Sequence, residues 1–69
     1  MSEITFLVEE PFEGGYIAKA VGESIITQAD TREELKEQIT DAIMCHFDND
    51  DRPKFVHLHF VKDEIFALK

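Results

Sequence analysis

Two histidines separated by one residue, His57 and His59, are the side chains whose spacing most resembles a metal site or catalytic pair. In an extended strand, side chains at i and i+2 point to the same side, so both imidazoles could reach one ion. A zinc site takes three or four protein ligands, and the other soft donors are Cys45 and His46. On a helix, those two adjacent side chains diverge by about 100°. We therefore predict no metal site and interpret His57 and His59 as surface residues.

The other groups capable of chemistry also favour non-catalytic roles. Cys45 lies near the end of a predicted helix, where the helix dipole disfavours a thiolate, so we predict a small packed thiol. Residues 48–51 resemble the start of a calcium loop but lack its glycine and its final glutamate. A Mg²⁺-dependent nuclease needs converging carboxylates, and residues 4–8 of the first strand contain none. The sequence therefore predicts a protein that is not an enzyme and needs no cofactor.

Length and charge limit the classes of partner. The 69 residues suffice for one domain, residues 1–69, whose own core is small. Fifteen acidic and seven basic side chains give a net charge of −8, which disfavours nucleic acid and anionic membranes and suits a basic protein. The start of the sequence has neither the basic n-region nor the cleavage pattern of a signal peptide. One cysteine without such a signal fits the cytoplasm.

Hydrophobic periodicity predicts an α+β fold of order β-β-β-α-β. The predicted strands cover residues 3–10, 16–22, 24–29 and 54–61, and the helix covers residues 30–47. Thr31 and Glu34 form a capping box at the helix start. Since helical crossovers are right-handed, the fourth strand should lie parallel to the first. Residues 62–69 either return as a fifth strand or continue as an arm.

The predicted sheet has one helix and therefore one covered face. The residues expected under the helix are Ile4, Phe6, Val8, Ala18, Ala20, Val56, Leu58 and Phe60. The residues expected on the uncovered face are Thr5, Leu7, Ile17, Lys19, Val21, Phe55, His57 and His59. The third strand can bury either side, because Ile25 and Ile26 are adjacent and both apolar.

An uncovered face with this much apolar area predicts a homo-oligomer, a dimer or higher. The predicted interface is Leu7, Ile17, Val21, Phe55, His57, His59, Ile65, Phe66 and Leu68. Whether the last segment is exchanged between subunits is open at this point. A stand-alone oligomeric regulator, or a small-ligand or metal-binding domain that uses His57 and His59, is the alternative function.

The stretches "GGYIAKAVG" and "ITQADTREEL", followed by an amphipathic helix, resemble the HicB antitoxin family over nearly the whole chain. The resemblance implies a partial RNase H-like βββαβ(β) fold without the catalytic carboxylates. It also implies binding to a HicA-type toxin, a small basic RNA-cleaving protein. The acids expected to face that toxin are Glu33, Glu34, Asp41, Asp48, Asp50 and Asp51. Full-length HicB proteins add a DNA-binding segment that this sequence lacks, so no direct nucleic-acid contact is expected.

Overall fold

Three antiparallel strands, a helix and a returning parallel strand make up the architecture of the computed structural model, which describes residues 2–69. The elements are β1 (Glu3–Glu9), β2 (Tyr16–Ala20), β3 (Ile26–Ala29), α1 (Arg32–His46) and β4 (Phe55–Val61). The strand order is β3-β2-β1-β4, with β4 parallel to β1 and the other pairs antiparallel. The predicted α+β class and the position of the fourth strand beside the first are confirmed.

The core forms where the alternation of β1 meets the apolar stripe of α1. Every second residue of β1 is buried on the helix side of the sheet, and α1 presents buried residues at every fourth position. This stripe spacing matches the 3.6-residue helical repeat, so one side of α1 faces the sheet along its length. The buried core residues are Ile4, Phe6, Val8, Ala18, Ile25, Leu35, Ile39 and Ile43.

A capping box fixes the start of α1. Thr31 is extended, with φ −127°, and its Oγ1 accepts a hydrogen bond from the Glu34 N–H at 3.1 Å. In return, Oε1 of Glu34 accepts from the N–H of Asp30 at 3.1 Å. These bonds satisfy N–H groups that have no intrahelical partner, which is why the helix begins here. The predicted cap is confirmed.

The structure resolves the ambiguity in β3. Ile25 is buried, whereas Ile26 is 70% exposed. Ile26 pairs with Lys19, and this register turns its side chain to the face without the helix. Ile25 instead lies in the turn before the strand, where its carbonyl accepts from the N–H of Ala20 at 2.9 Å.

Two predictions about burial are wrong. Cys45 is exposed, because it lies beside the stripe that ends in Ile43 rather than on it. On β4, Val56 and Phe60 lie on the helix side as predicted, but 42% and 36% of their surface stays exposed to solvent. The helix follows β3 after two residues and lies closest to β2 and β3, so it does not reach across to β4.

A groove of about 260 Å³ separates α1 from β4 as a result. Its lining residues are Lys36, Ile39, Thr40, Val56 and Leu58. A helix is about 10 Å wide and strands lie about 4.8 Å apart, so one helix covers roughly two strands of the four. The groove lies over the part of the sheet, on the same side as the helix, that α1 does not cover.

Residues 62–69 form neither strand nor helix and continue beyond β4 as an extended arm. The Cα radius of gyration is 13.9 Å, against about 11 Å for a compact domain of this length. Three apolar side chains of this arm, Ile65, Phe66 and Leu68, are 77%, 79% and 92% exposed. The sequence allowed residues 62–69 to form either a fifth strand or an arm, and the structure shows the arm.

The reversal between β1 and β2 generates a first prediction. Gly14 and Gly15 have φ of 101° and 81°, a region that L-residues adopt at a cost of about 1–2 kcal/mol. A Cβ on Gly14 meets open space, whereas one on Gly15 would lie 3.0 Å from the carbonyl oxygen of Ala29. We expect Gly15→Ala to lower the free energy of unfolding by more than Gly14→Ala does. Urea denaturation measures both, and equal losses would contradict the close contact.

Candidate protein-binding surfaces

The sheet presents one face that no element of residues 2–69 covers, here called the open face. Strand register places Thr5 beside His57 and Leu7 beside His59, while Leu7 also pairs with Lys19. The open face comprises Thr5, Leu7, Glu9, Ile17, Lys19, Ile26, Gln28, Phe55, His57, His59 and Val61. The interface residues predicted on β1, β2 and β4 thus share this face.

The open face exposes both apolar and polar side chains. Phe55 is 67% exposed. Val21 follows β2 and donates its N–H to the Thr5 carbonyl at 2.8 Å, while its side chain stays exposed. Ile26 also belongs to this surface. The sequence did not predict this, because the adjacent Ile25 could equally have been the exposed residue. Lys19 and Glu9 form an ion pair of 3.7 Å that is half-exposed, so it contributes little stability.

The two histidines stand together on the open face. Their ring centroids lie 6.4 Å apart in an edge-to-face arrangement. Within residues 2–69, no group of three or more His, Cys, Asp or Glu side chains is close enough to hold a metal ion. His46, the third histidine, instead contacts Glu23, with 3.0 Å between Nε2 and Oε1.

The second surface is an acidic ridge on the outer side of α1 and the loop after it. Glu33, Glu37 and Asp41 recur every four residues, so they lie in one line on the helix, away from the sheet. The ridge consists of Glu33, Glu37, Asp41, Asp48, Asp50 and Asp51, all exposed. Glu37 was missed, although its spacing from Glu33 and Asp41 is readable in the sequence.

Among residues 2–69, no ion pair within 4.0 Å involves a carboxylate of the acidic ridge. Arg52, in the same loop, turns back to the helix end, where Nη2 donates to the carbonyl of Met44 at 3.3 Å. The negative end of the helix dipole favours a cation there. Glu34, predicted as a partner-facing acid, is exposed but has a structural role, because its carboxylate caps the helix. The other five predicted acids belong to the ridge.

Near the start of α1, an arginine stacks on two aromatic rings. The guanidinium carbon of Arg32 lies 4.5 Å from the Phe60 ring centroid and 5.9 Å from that of Tyr16. The two rings contact edge to face, with centroids 6.2 Å apart. This cluster links the helix start to the end of β4, beyond the groove, and it helps to hold β4 in place.

An open cleft of about 810 Å³ lies between the β1–β2 turn, Asp30 and the start of the arm. Its acidic lining residues are Glu10, Asp30, Asp63 and Glu64. Among residues 2–69, no polar or charged side chain is buried. A catalytic group usually needs a partly desolvated environment to shift its reactivity, and this cleft is wide and solvated.

These features define a small α+β domain with one helix, a four-stranded mixed sheet and an uncovered sheet face. The chain belongs to the UPF0150 family. It is 53% identical to a UPF0150 protein of Thermotoga maritima over 66 residues, which cover 96% of this chain and 93% of that protein. It is 55% identical to a UPF0150 protein of Archaeoglobus fulgidus over 51 residues, which cover 74% and 76% respectively. No family model and no solved structure matches the chain.

A helix that spans a membrane is recognised by its length and apolarity. None of the helical structure in residues 2–69 reaches the length and hydropathy that a bilayer span requires. The helix present is α1, with 15 residues and charged side chains along its outer side.

The arginine cluster generates a second prediction. Cation–π contacts at exposed sites contribute about 0.5–1 kcal/mol, so Arg32→Leu and Phe60→Leu should each lower stability. Because the two side chains contact each other, the double variant should lose less than the sum of the single losses. Chemical denaturation of all four proteins gives the coupling energy. Additive losses would show that the stacking contributes nothing.

Proposed function

We propose that this protein is a non-catalytic, HicB-type antitoxin domain that binds and masks a small basic RNA-cleaving toxin of HicA type. The acidic ridge is the observation that carries this proposal. A protein that cleaves RNA needs basic side chains to bind phosphates. A surface with six exposed carboxylates competes for that same basic surface.

The net charge supports the proposal beyond the ridge. At −8, the protein attracts a basic partner over long range and repels RNA, so it would reach the toxin without binding the substrate of the toxin. Complementary charge raises association rates, and an antitoxin benefits from fast capture. The βββαβ order is the one that the HicB resemblance implies.

The distribution of reactive groups supports a non-catalytic role. Cys45 is exposed on the helix, and its neighbour His46 is engaged by Glu23 rather than placed to act as a base. The alternative function, which uses His57 and His59 to bind a metal or small ligand, has weaker support. Those two side chains lie on a flat, open face with no third ligand among the described residues.

Inhibition of RNA cleavage tests the function directly. The partner to use is a small basic protein encoded beside this one, purified and assayed on single-stranded RNA. We expect cleavage to fall in proportion to added antitoxin and to stop near equimolar amounts, because masking is stoichiometric. Cleavage that continues at tenfold excess, despite a folded antitoxin, would refute the proposal.

Charge removal from the ridge tests the surface. We expect Glu33→Gln/Glu37→Gln/Asp41→Asn to weaken toxin binding by roughly tenfold or more and to reduce its salt dependence, because rim charges mainly set association. Binding is measured by calorimetry or interferometry at several salt concentrations.

A matched control removes the same charge elsewhere. Glu3→Gln/Glu10→Gln/Glu13→Gln changes three exposed or half-exposed acids of β1 and the following turn. We expect that variant to bind nearly as tightly as the unmodified protein. Equal weakening by both triple variants would show that net charge alone acts, and that α1 is not the contact surface.

A further inference from the structure

β4 is an edge strand without the usual protection. The sheet ends at β4, so along residues 55–61 its outer N–H and C=O groups have no strand partner within the described chain. Proteins commonly protect such edges with prolines, bulges, lysines or short strands. The opposite edge follows this rule, because β3 has only four residues. β4 has seven residues and contains no proline, glycine or lysine.

Both sides of β4 carry exposed apolar side chains. Val56 and Phe60 are exposed on the helix side of the sheet, while Phe55 and Val61 are exposed on the open face. A strand added at this edge would bury the apolar side chains on both sides of β4 only if it also carried apolar side chains on both of its own sides. Strands buried on two faces have continuous rather than alternating apolar runs. Residues 65–68, Ile-Phe-Ala-Leu, are such a run.

The arm does not reach the edge of its own β4. A tight hairpin needs positive φ in its loop, which glycine or asparagine usually supplies. In the described chain, positive φ occurs at Gly14, Gly15 and Gly22, and residues 62–64 are Lys-Asp-Glu. The arm therefore leads away from the domain, with its apolar residues uncovered.

We propose that two copies exchange their arms. Residues 62–69 of each copy add as an antiparallel strand beside β4 of the other, which joins the two four-stranded sheets across a two-fold axis. A long strand of residues 55–69 then runs through each copy, consistent with the 56 Å longest dimension of the chain. Closed two-fold pairing covers the edges of both β4 strands at once and leaves only the short β3 strands as edges of the joined sheet.

Symmetry determines which side each arm residue covers. Directly opposed residues of antiparallel strands point to the same side, and a two-fold axis normal to the sheet keeps both helices on one side. Because side chains alternate along the strand, Phe66 and Leu68 lie on the same side as Leu58 and Phe60. They fill the groove beside α1 of the second copy. Ile65 and Ala67 cover the open face next to the two histidines.

Charge selects the register among those that symmetry allows. With Asp63 at the axis, Lys62 of each copy lies opposite Glu64 of the other. The same register places Phe60 opposite Phe66 and Leu58 opposite Leu68, which gives an aromatic and an aliphatic cross-strand pair. Either register sets one charged residue opposite its own copy, Asp63 in the first case and Lys62 in the second. With Lys62 at the axis, however, Glu64 would oppose Phe60 and the Lys62–Glu64 ion pairs would be lost. We assign the register centred on Asp63.

Solution mass tests the exchange independently of any toxin. We expect the unmodified protein to be a dimer at micromolar concentration by analytical ultracentrifugation, and Phe66→Asp/Leu68→Asp to be a folded monomer. The control is Ile26→Asp, which changes an exposed apolar residue of the open face on β3. It should remain a dimer. A monomeric unmodified protein, or a dimer that survives in the arm variant, would overturn the proposal.

Disulfide trapping tests the register in a Cys45→Ser background. Leu58→Cys/Leu68→Cys should oxidise to a covalent dimer, because opposed strand residues lie within the Cα separation of a disulfide. Leu58→Cys/Ala67→Cys should not, since Ala67 faces the other side of the sheet. A covalent dimer of the Ala67 variant would overturn the assigned register. The absence of covalent dimers in both variants would also overturn it.

Discussion

A single helix has to cover a sheet of four strands, and most features of this protein follow from that mismatch. The helix lies over β2 and β3, to which it is tied by a two-residue connection. The residues of β1 that point to the helix side are buried, whereas those of β4 on the same side stay partly exposed. The uncovered parts are a groove on one side and the open face on the other. Both make the domain dependent on surface contacts for further burial.

The distribution of polarity has the same origin. A core of eight buried apolar residues leaves no interior space for a polar site, so the charged side chains of the described chain all lie outside. On α1, the side that does not face the sheet carries Glu33, Glu37 and Asp41. The amphipathic pattern that folds the helix against the sheet thus also creates the acidic ridge. One side of α1 thus packs on the sheet, and the opposite side carries the acidic ridge.

Local patterns predicted the elements well, because each has a short-range cause. The alternation of β1, the capping box of Thr31 and Glu34, and the glycines of the first turn act within a few residues. The helix position over the sheet depends on tertiary packing, so the exposure of Val56 and Phe60 was not predictable from alternation. Adjacent apolar residues such as Ile25 and Ile26 carry no face information. The acidic ridge was mostly predicted, except Glu37, whose helical spacing was overlooked.

The pairing of β4 with β1 also constrains how the chain folds during synthesis. Glu3 and Phe55 are register partners, so β1 pairs with a strand that is synthesised about 50 residues later. The β1–β2–β3 meander and α1 can form earlier, because their contacts are close in sequence. Until β4 is made, one edge of β1 stays open beside the apolar residues Ile4 and Phe6. A nascent chain with that open edge is exposed to aggregation, which makes translation speed and chaperone access relevant to its yield.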